Sequence, residues 1–352
     1  MRIWVTGGTG FVGQQVMRAA GRLFPGDEVV ATVRQLGSWP GWPGVEPLPL
    51  DLTDAVGLER EFAARPPAGL IHLAAAADPN WCEEHPVEAR ALNVELPRRL
   101  AMLCQRFGAR LVFASTDLVF DGRHPPYAEA AEPRPVSRYA ALKHEAERLV
   151  HEVLGDAATV CRLPLMYGDP SPAGRHTLAA VLAALAGGPP ARLFIDEFRT
   201  PISTMAAAEG LALALHLALG RPWSPPWPPG ERPAPPAGGC RPDRGEGPTA
   251  APGPAPQRSA PALLHLGGPE RVSRFDLGRR LAAWLGVPAT GLVPVRQADL
   301  PMAAPRPPDV SLDSRLAFAL GFRPGRLEEE WDRLPSFQRV RADVKKAGTA
   351  PG

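Results

Sequence analysis

Apolar and polar positions follow two rhythms over the first 163 residues: short β-branched runs of about five residues, and longer stretches with apolar side chains every third or fourth position. Alternation of the two marks β–α–β units and a parallel sheet. The runs at 2–6, 28–33, 45–50, 70–73, 110–115 and 159–163 predict six strands. Val12, Val16, Ala19, Ala20 and Leu23 share one helical face behind the first strand. Longer helices are expected over 86–107, with Pro86 in the first turn, and over 136–154. A crossover after each strand predicts an α/β fold, a Rossmann-type doubly wound parallel sheet forming a nucleotide-binding domain over 1–164.

Past Pro164 the pattern loosens. Helical spacing at 176–186, 205–219 and 273–285, an extended piece at 192–194 and an acidic helix start near Glu328 predict a smaller α/β substrate-binding lobe. It would comprise 165–220 and 262–335, interleaved with the first domain. Residues 221–261 hold 14 of the 44 prolines and no Val, Ile, Leu, Phe, Met or Tyr, so they are expected to be a disordered insert. Trp223 and Trp227 inside it are read as belonging to a linker loop rather than a docking motif. Residues 341–352 are expected to be a flexible tail.

Composition narrows the function classes. The insert carries five Arg against three acids, which equals the net charge of +2, so the remainder is balanced. A balanced body without like-charge runs argues against nucleic acid as a partner. Cys82, Cys104, Cys161 and Cys240 are too dispersed for a metal motif and read as reduced thiols. The eight His show no H-x-x-x-H spacing, so no metal is expected; His72, closing the fourth strand, reads as a packed residue. With no leader pattern and no apolar run long enough to span a membrane, a cytoplasmic protein without a membrane partner is expected. A homodimer stays open as its assembly.

The first strand runs into T-G-G-T-G-F-V-G, where Gly7, Gly10 and Gly13 are spaced three and three ahead of a helix. Glycine there permits the tight turn and lets a pyrophosphate approach backbone amides, so the motif reads as a dinucleotide cradle. Thr9, Phe11 and Val12 belong to the same candidate site. At the end of the second strand, NAD binders place an acid for the ribose. This chain has Val33 and then Arg34, which favours NADPH, with NADH the alternative. Asp51, either an adenine partner or a helix cap, joins the cofactor candidates with Leu52, Ala74, Ala75 and Ala76.

Tyr139 and Lys143 stand four apart in Y-A-A-L-K, on one helical face. The chain has three Tyr and three Lys against 36 Arg, so a chance pair at this spacing is rare. A neighbouring ammonium favours the phenolate, which suits Tyr139 to proton transfer near neutral pH. Upstream, F-A-S-T-D-L-V-F-D-G places Ser115, Thr116 and Asp117 at the carboxyl edge of the fifth strand, where open α/β sheets bind ligands.

Together, G-x-x-G-x-x-G, S-T-D-x-V-F-D-G and Y-x-x-x-K resemble an extended short-chain dehydrogenase/reductase of the dTDP-4-dehydrorhamnose reductase family. The similarity covers 1–220 and resumes over 265–322. It implies an NADPH-dependent oxidoreductase whose substrate is a nucleotide-linked 4-keto-6-deoxysugar. Thr116 would be the hydroxyl on the carbonyl, Tyr139 the proton donor, and Lys143 the residue that lowers the Tyr pKa and holds the ribose. Asn93, in the long helix, would join the cofactor site by ordering its backbone or a water, the alternative being a polar surface residue. The chain departs from that family at Leu118 and Leu165, where aromatic rings are usual. R-L-P-L-M-Y-G and D-E-F-R-T-P-I-S are also similar to the methionine adenosyltransferase β subunit, which implies a non-catalytic, NADP-binding regulatory subunit as the alternative. A sugar-nucleotide epimerase is a further alternative, but Val33 replaces its strand-two acid; a dehydratase would need Glu at Leu118.

Overall fold

The computed structural model describes residues 1–171, 178–224 and 260–348. In chain order the first part comprises β1 (Arg2–Thr6), α1 (Gly13–Arg18), α2 (Ala20–Leu23), β2 (Glu28–Val33), β3 (Val45–Pro49), α3 (Ala55–Ala64), β4 (Gly69–His72), α4 (Pro79–Glu84), α5 (Pro86–Arg90), α6 (Leu96–Phe107), β5 (Arg110–Thr116), α7 (Arg138–Leu154) and β6 (Ala158–Leu163). The rest comprises β7 (Met166–Tyr167), α8 (Ala179–Leu185), β8 (Ala191–Phe194), β9 (Phe198–Arg199), β10 (Ile202–Ser203), α9 (Thr204–Ala218), β11 (Leu263–His265), β12 (Val272–Ser273), α10 (Arg274–Leu285), β13 (Leu292–Val295), α11 (Arg315–Ala319), α12 (Leu327–Trp331) and α13 (Pro335–Gly348).

Seven parallel strands form the central sheet in the order β11-β6-β5-β4-β1-β2-β3. The order reverses between β1 and β4, the point at which open α/β sheets open a ligand crevice. Its strands read as continuous apolar runs because both faces are covered. One layer buries Val16, Met17, Leu23, Leu211 and Leu215 against the sheet; the other buries Leu58, Phe62, Leu100 and Cys104.

The seventh strand, β11, was not among the six expected. It pairs with β6 as the outer strand, and α9 packs on the sheet, so both elements of the expected second lobe belong to the central layers. The lobe proper has its own core, in which Tyr167, Leu281, Trp284, Trp331 and Phe337 meet.

Three other expectations change. The helix over 86–107 is interrupted by one wide π turn at Ala91–Glu95. Pro97 has no N–H for the carbonyl of residue 93 and its ring crowds that carbonyl, which explains the widening. The insert's first residues are placed: Trp223 stands edge-on to His216 at 5.3 Å and Arg221 pairs with Asp27. Trp223 thus packs against the first core layer, while Trp227 and Cys240 lie outside the described residues. The expected flexible tail is helical to Gly348, with Arg341 over the Trp284 ring at 4.4 Å and paired to Asp332 at 2.8 Å. Among the described residues no helix is long and apolar enough to cross a membrane, and no group of three potential metal ligands occurs. Cys82, Cys104 and Cys161 are buried free thiols.

Candidate active site

A cavity of about 800 Å³ opens along the carboxyl edge of the sheet, within the range of small-molecule sites. It gathers Gly7, Thr9, Gly10, Phe11, Val12, Gly13, Arg34, Asp51, Leu52, Ala74, Ala75, Thr116, Tyr139 and Lys143. Of the sequence candidates, Ala76 and Asn93 are absent from its lining.

The glycine turn fits a dinucleotide. Gly7 has φ +71°, and a Cβ there would stand 2.9 Å from the Ala74 amide nitrogen. A Cβ on Gly13 would fall 2.1 Å from the Gly7 carbonyl oxygen, so side chains would break the close packing of turn on helix that holds the cradle open. Thr6 fixes the facing loop: its hydroxyl accepts the Leu73 and Ala74 amides at 3.1 and 3.3 Å and meets His72 Nδ1 at 2.7 Å. Burial drives the His72 pKa down to about 3, with Lys143 adding to the effect, so the ring is a neutral packing residue.

Where β2 and β3 end, Arg34 is exposed on the rim of the cavity, and Asp51 senses its charge. Asp51 does not cap α3; Asp54 does, accepting Val56 and Gly57 amides at 3.2 and 3.1 Å. Asp51 instead accepts the Thr53 amide and hydroxyl on one oxygen, Oδ1, at 2.9 and 2.7 Å. These bonds, the hydroxyl first, hold its carboxyl below the usual range, an ionised acceptor on the rim.

Asn93 sits one layer behind. It is fully buried, its amide nitrogen donates to the Ala76 carbonyl at 2.9 Å, and its oxygen accepts the Ala76 amide at 3.0 Å. The π turn places it there, so both candidates absent from the lining form one clamp on the loop that bears Ala74 and Ala75.

Ser137 caps α7 through the Ala140 amide, which sets Tyr139 in the first turn and Lys143 one turn later. Both are buried. Lys143 Nζ donates to the Ala114 carbonyl at 2.7 Å and lies 3.9 Å over the Phe113 ring. Burial lowers its pKa to about 7, against the upward pull of Glu147. Glu147 forms a buried two-bond pair with Arg162 at 3.0 and 2.7 Å. Thr116, ending β5, lines the cavity beside Asp117.

Sequence reasoning missed the other end. Glu197, Arg199, Arg274 and Arg306 line it together with Leu118, Leu165 and Met166. Antiparallel pairing of β9 with β12 brings Glu197 to Arg274, Nε to Oε1 at 2.8 Å. Gly122, φ +81°, lets the segment bearing Arg306 approach, since a Cβ there would be 2.7 Å from Pro308 Cδ. A usable signal was present: Glu197 and Arg199 flank an apolar residue where a buried strand would carry none.

The family described as RmlD substrate binding domain matches residues 1–222. Methionine adenosyltransferase 2 subunit beta of Xenopus tropicalis is 39% identical over 121 residues, 34% of this chain and 36% of that protein. A dTDP-4-dehydrorhamnose reductase of Streptomyces griseus is 34% identical over 172 residues, 48% of this chain and 55% of that protein. The chain thus spans about a third and about half of these relatives. In fold it matches a dTDP-4-dehydrorhamnose reductase of Bacillus anthracis solved with NADP, with a TM-score of 0.69, 18% identity, and 97% and 99% of the two chains covered.

Proposed function

The chain belongs to the RmlD substrate binding domain family, and from that premise we propose that it is an NADPH-dependent reductase of a nucleotide-linked 4-keto-6-deoxysugar. The observation that carries the reading is the convergence of Thr116, Tyr139 and Lys143 in one cavity with the glycine turn. Arg34, and the lack of a carboxylate at Val33, favour the phosphorylated cofactor over NADH.

Bound NADPH supplies a hydride to the substrate carbonyl carbon. Tyr139 gives its phenolic proton to the carbonyl oxygen, so that the carbonyl becomes an alcohol, and it regains a proton from water. Lys143, held by the Ala114 carbonyl, favours the phenolate left behind and keeps donors for ribose hydroxyls. Thr116 adds a second hydrogen bond to the oxygen as charge develops. Asn93 keeps the Ala76 loop from moving.

Leu118 and Leu165, together with the identity to the methionine adenosyltransferase subunit, favour a second reading as a cofactor-binding regulatory subunit. Purified protein with NADPH and a dTDP-4-keto-6-deoxysugar separates the two. The reductase reading expects loss of nicotinamide absorbance, and a fall of about 10²- to 10⁴-fold in rate for Tyr139→Phe with NADPH affinity retained. NADPH binding without turnover of any keto-sugar nucleotide, and co-purification with a methionine adenosyltransferase catalytic subunit, would establish the second reading.

A further inference from the structure

The substrate end of the cavity holds more buried charge than proton donation by Tyr139 requires. Thr116 Oγ1 accepts the Leu118 amide at 3.2 Å and gives its own proton to Asp117 Oδ1 at 3.2 Å. So arranged, the hydroxyl has no proton left for a substrate oxygen. Asp117 is 3% exposed, and its Oδ2, without a hydrogen bond, faces Arg199 Nε at 3.6 Å. Arg199 is anchored on the Phe198 and Pro307 carbonyls at 2.7 and 3.3 Å, and stands 3.4 Å from Glu197. Glu197 in turn holds Arg274, the first residue of α10. A chain of ions therefore runs from the end of β5 into the lobe. Arg306 beside it, with Tyr139 and Lys143 on α7, completes the charged and titratable groups that line this part of the cavity.

We propose that Asp117 is a positioning residue for the reduction: as a carboxylate it retains the Thr116 proton, as a neutral acid it releases the Thr116 hydroxyl to the substrate oxygen, and Arg199 sets the balance. The proposal rests on the reductase reading above. No proton is transferred to or from Asp117 in the turnover itself; the one consumed comes from Tyr139. Burial pushes the Asp117 carboxyl up to about 6, opposed by Arg199 and by the Thr116 hydrogen bond, so the two states exchange near mildly acidic pH. As pH rises through that value, Asp117 ionises and recaptures Thr116.

The test is the pH profile of kcat and KM with NADPH and a dTDP-4-keto-6-deoxysugar, from about pH 5 to about pH 8. In the unmutated protein kcat should fall as pH rises through about 6, and Asp117→Asn should abolish that inflection. Arg199→Gln should move it upward, because the cation favouring the carboxylate is gone, whereas Arg199→Lys should leave it near its place. Persistence of the inflection in Asp117→Asn, or its indifference to Arg199→Gln, overturns the proposal. So does loss of all turnover in a folded, NADPH-binding Asp117→Asn, which would make Asp117 a proton donor. Infrared spectra without substrate read the carboxyl directly: a protonated-carboxyl band titrating near 6 should vanish in Asp117→Asn. If the band is present and the unmutated protein turns nothing over, the reductase reading falls and takes the catalytic role with it; if turnover occurs without the band, the proposal alone falls.

Discussion

The two ends of the cavity are built from different materials. The end proposed for the cofactor is backbone and small side chains: a glycine turn, the Ala74–Ala76 loop clamped by Asn93, and two charges at an exposed rim. The end proposed for the substrate buries Asp117, Glu197 and Arg199 almost completely and adds Arg274 and Arg306. A site made of backbone depends on the absence of atoms, so it fails when atoms are added. A site made of buried ions depends on mutual compensation, so it fails when one member is removed.

Three substitutions would break or sharpen that contrast. Glu197→Leu leaves Arg199 and Arg274 without their shared carboxylate. It should cost about 3–5 kcal/mol of folding stability, read by chemical denaturation, while NADPH affinity of the protein that remains folded is little changed. Gly13→Ala adds a Cβ 2.1 Å from the Gly7 carbonyl oxygen. Relief by shifting the turn should cost about 1–3 kcal/mol, read as a loss of NADPH affinity of about 5- to 150-fold by nicotinamide fluorescence. An equal loss from Glu197→Leu would erase the distinction between the two ends. Arg34→Ala, at the exposed rim, should weaken NADPH by about tenfold and leave NADH alone; equal weakening of both cofactors would remove Arg34 from phosphate recognition.

The same contrast explains what the sequence made legible. Glycines spaced three and three, and Tyr139 four residues before Lys143, are local patterns whose geometry follows from one turn and one helix. Expected and observed bounds of the first six strands agree within a residue or so for the same reason. The substrate-end ions come from residues 117, 197, 199, 274 and 306, joined by β9–β12 pairing and the approach to Gly122, which no local window contains. Strand β11 escaped because three residues after a proline-rich run carry too little periodicity. Asn93 was a candidate only through the family resemblance, since a lone Asn in a helix reads equally as a surface residue, and its partner was not legible. Only the widened turn, caused by a proline four residues later, aims it at Ala76.

That widened turn also acts as a register device. One helical residue corresponds to about 100° of rotation, so winding the same residues as an unbroken α-helix would turn α5 by about that angle relative to α6, whereas removing one residue within Ala91–Glu95 would restore regular winding with both faces kept in place. At present α6 presents Leu100, Leu103 and Cys104 to the sheet, while α5 presents Arg90 to Glu145 of α7 in a two-bond pair. The extra residue is what lets one continuous helix keep two incompatible phases, one keyed to the sheet and the other to the helix that carries Tyr139.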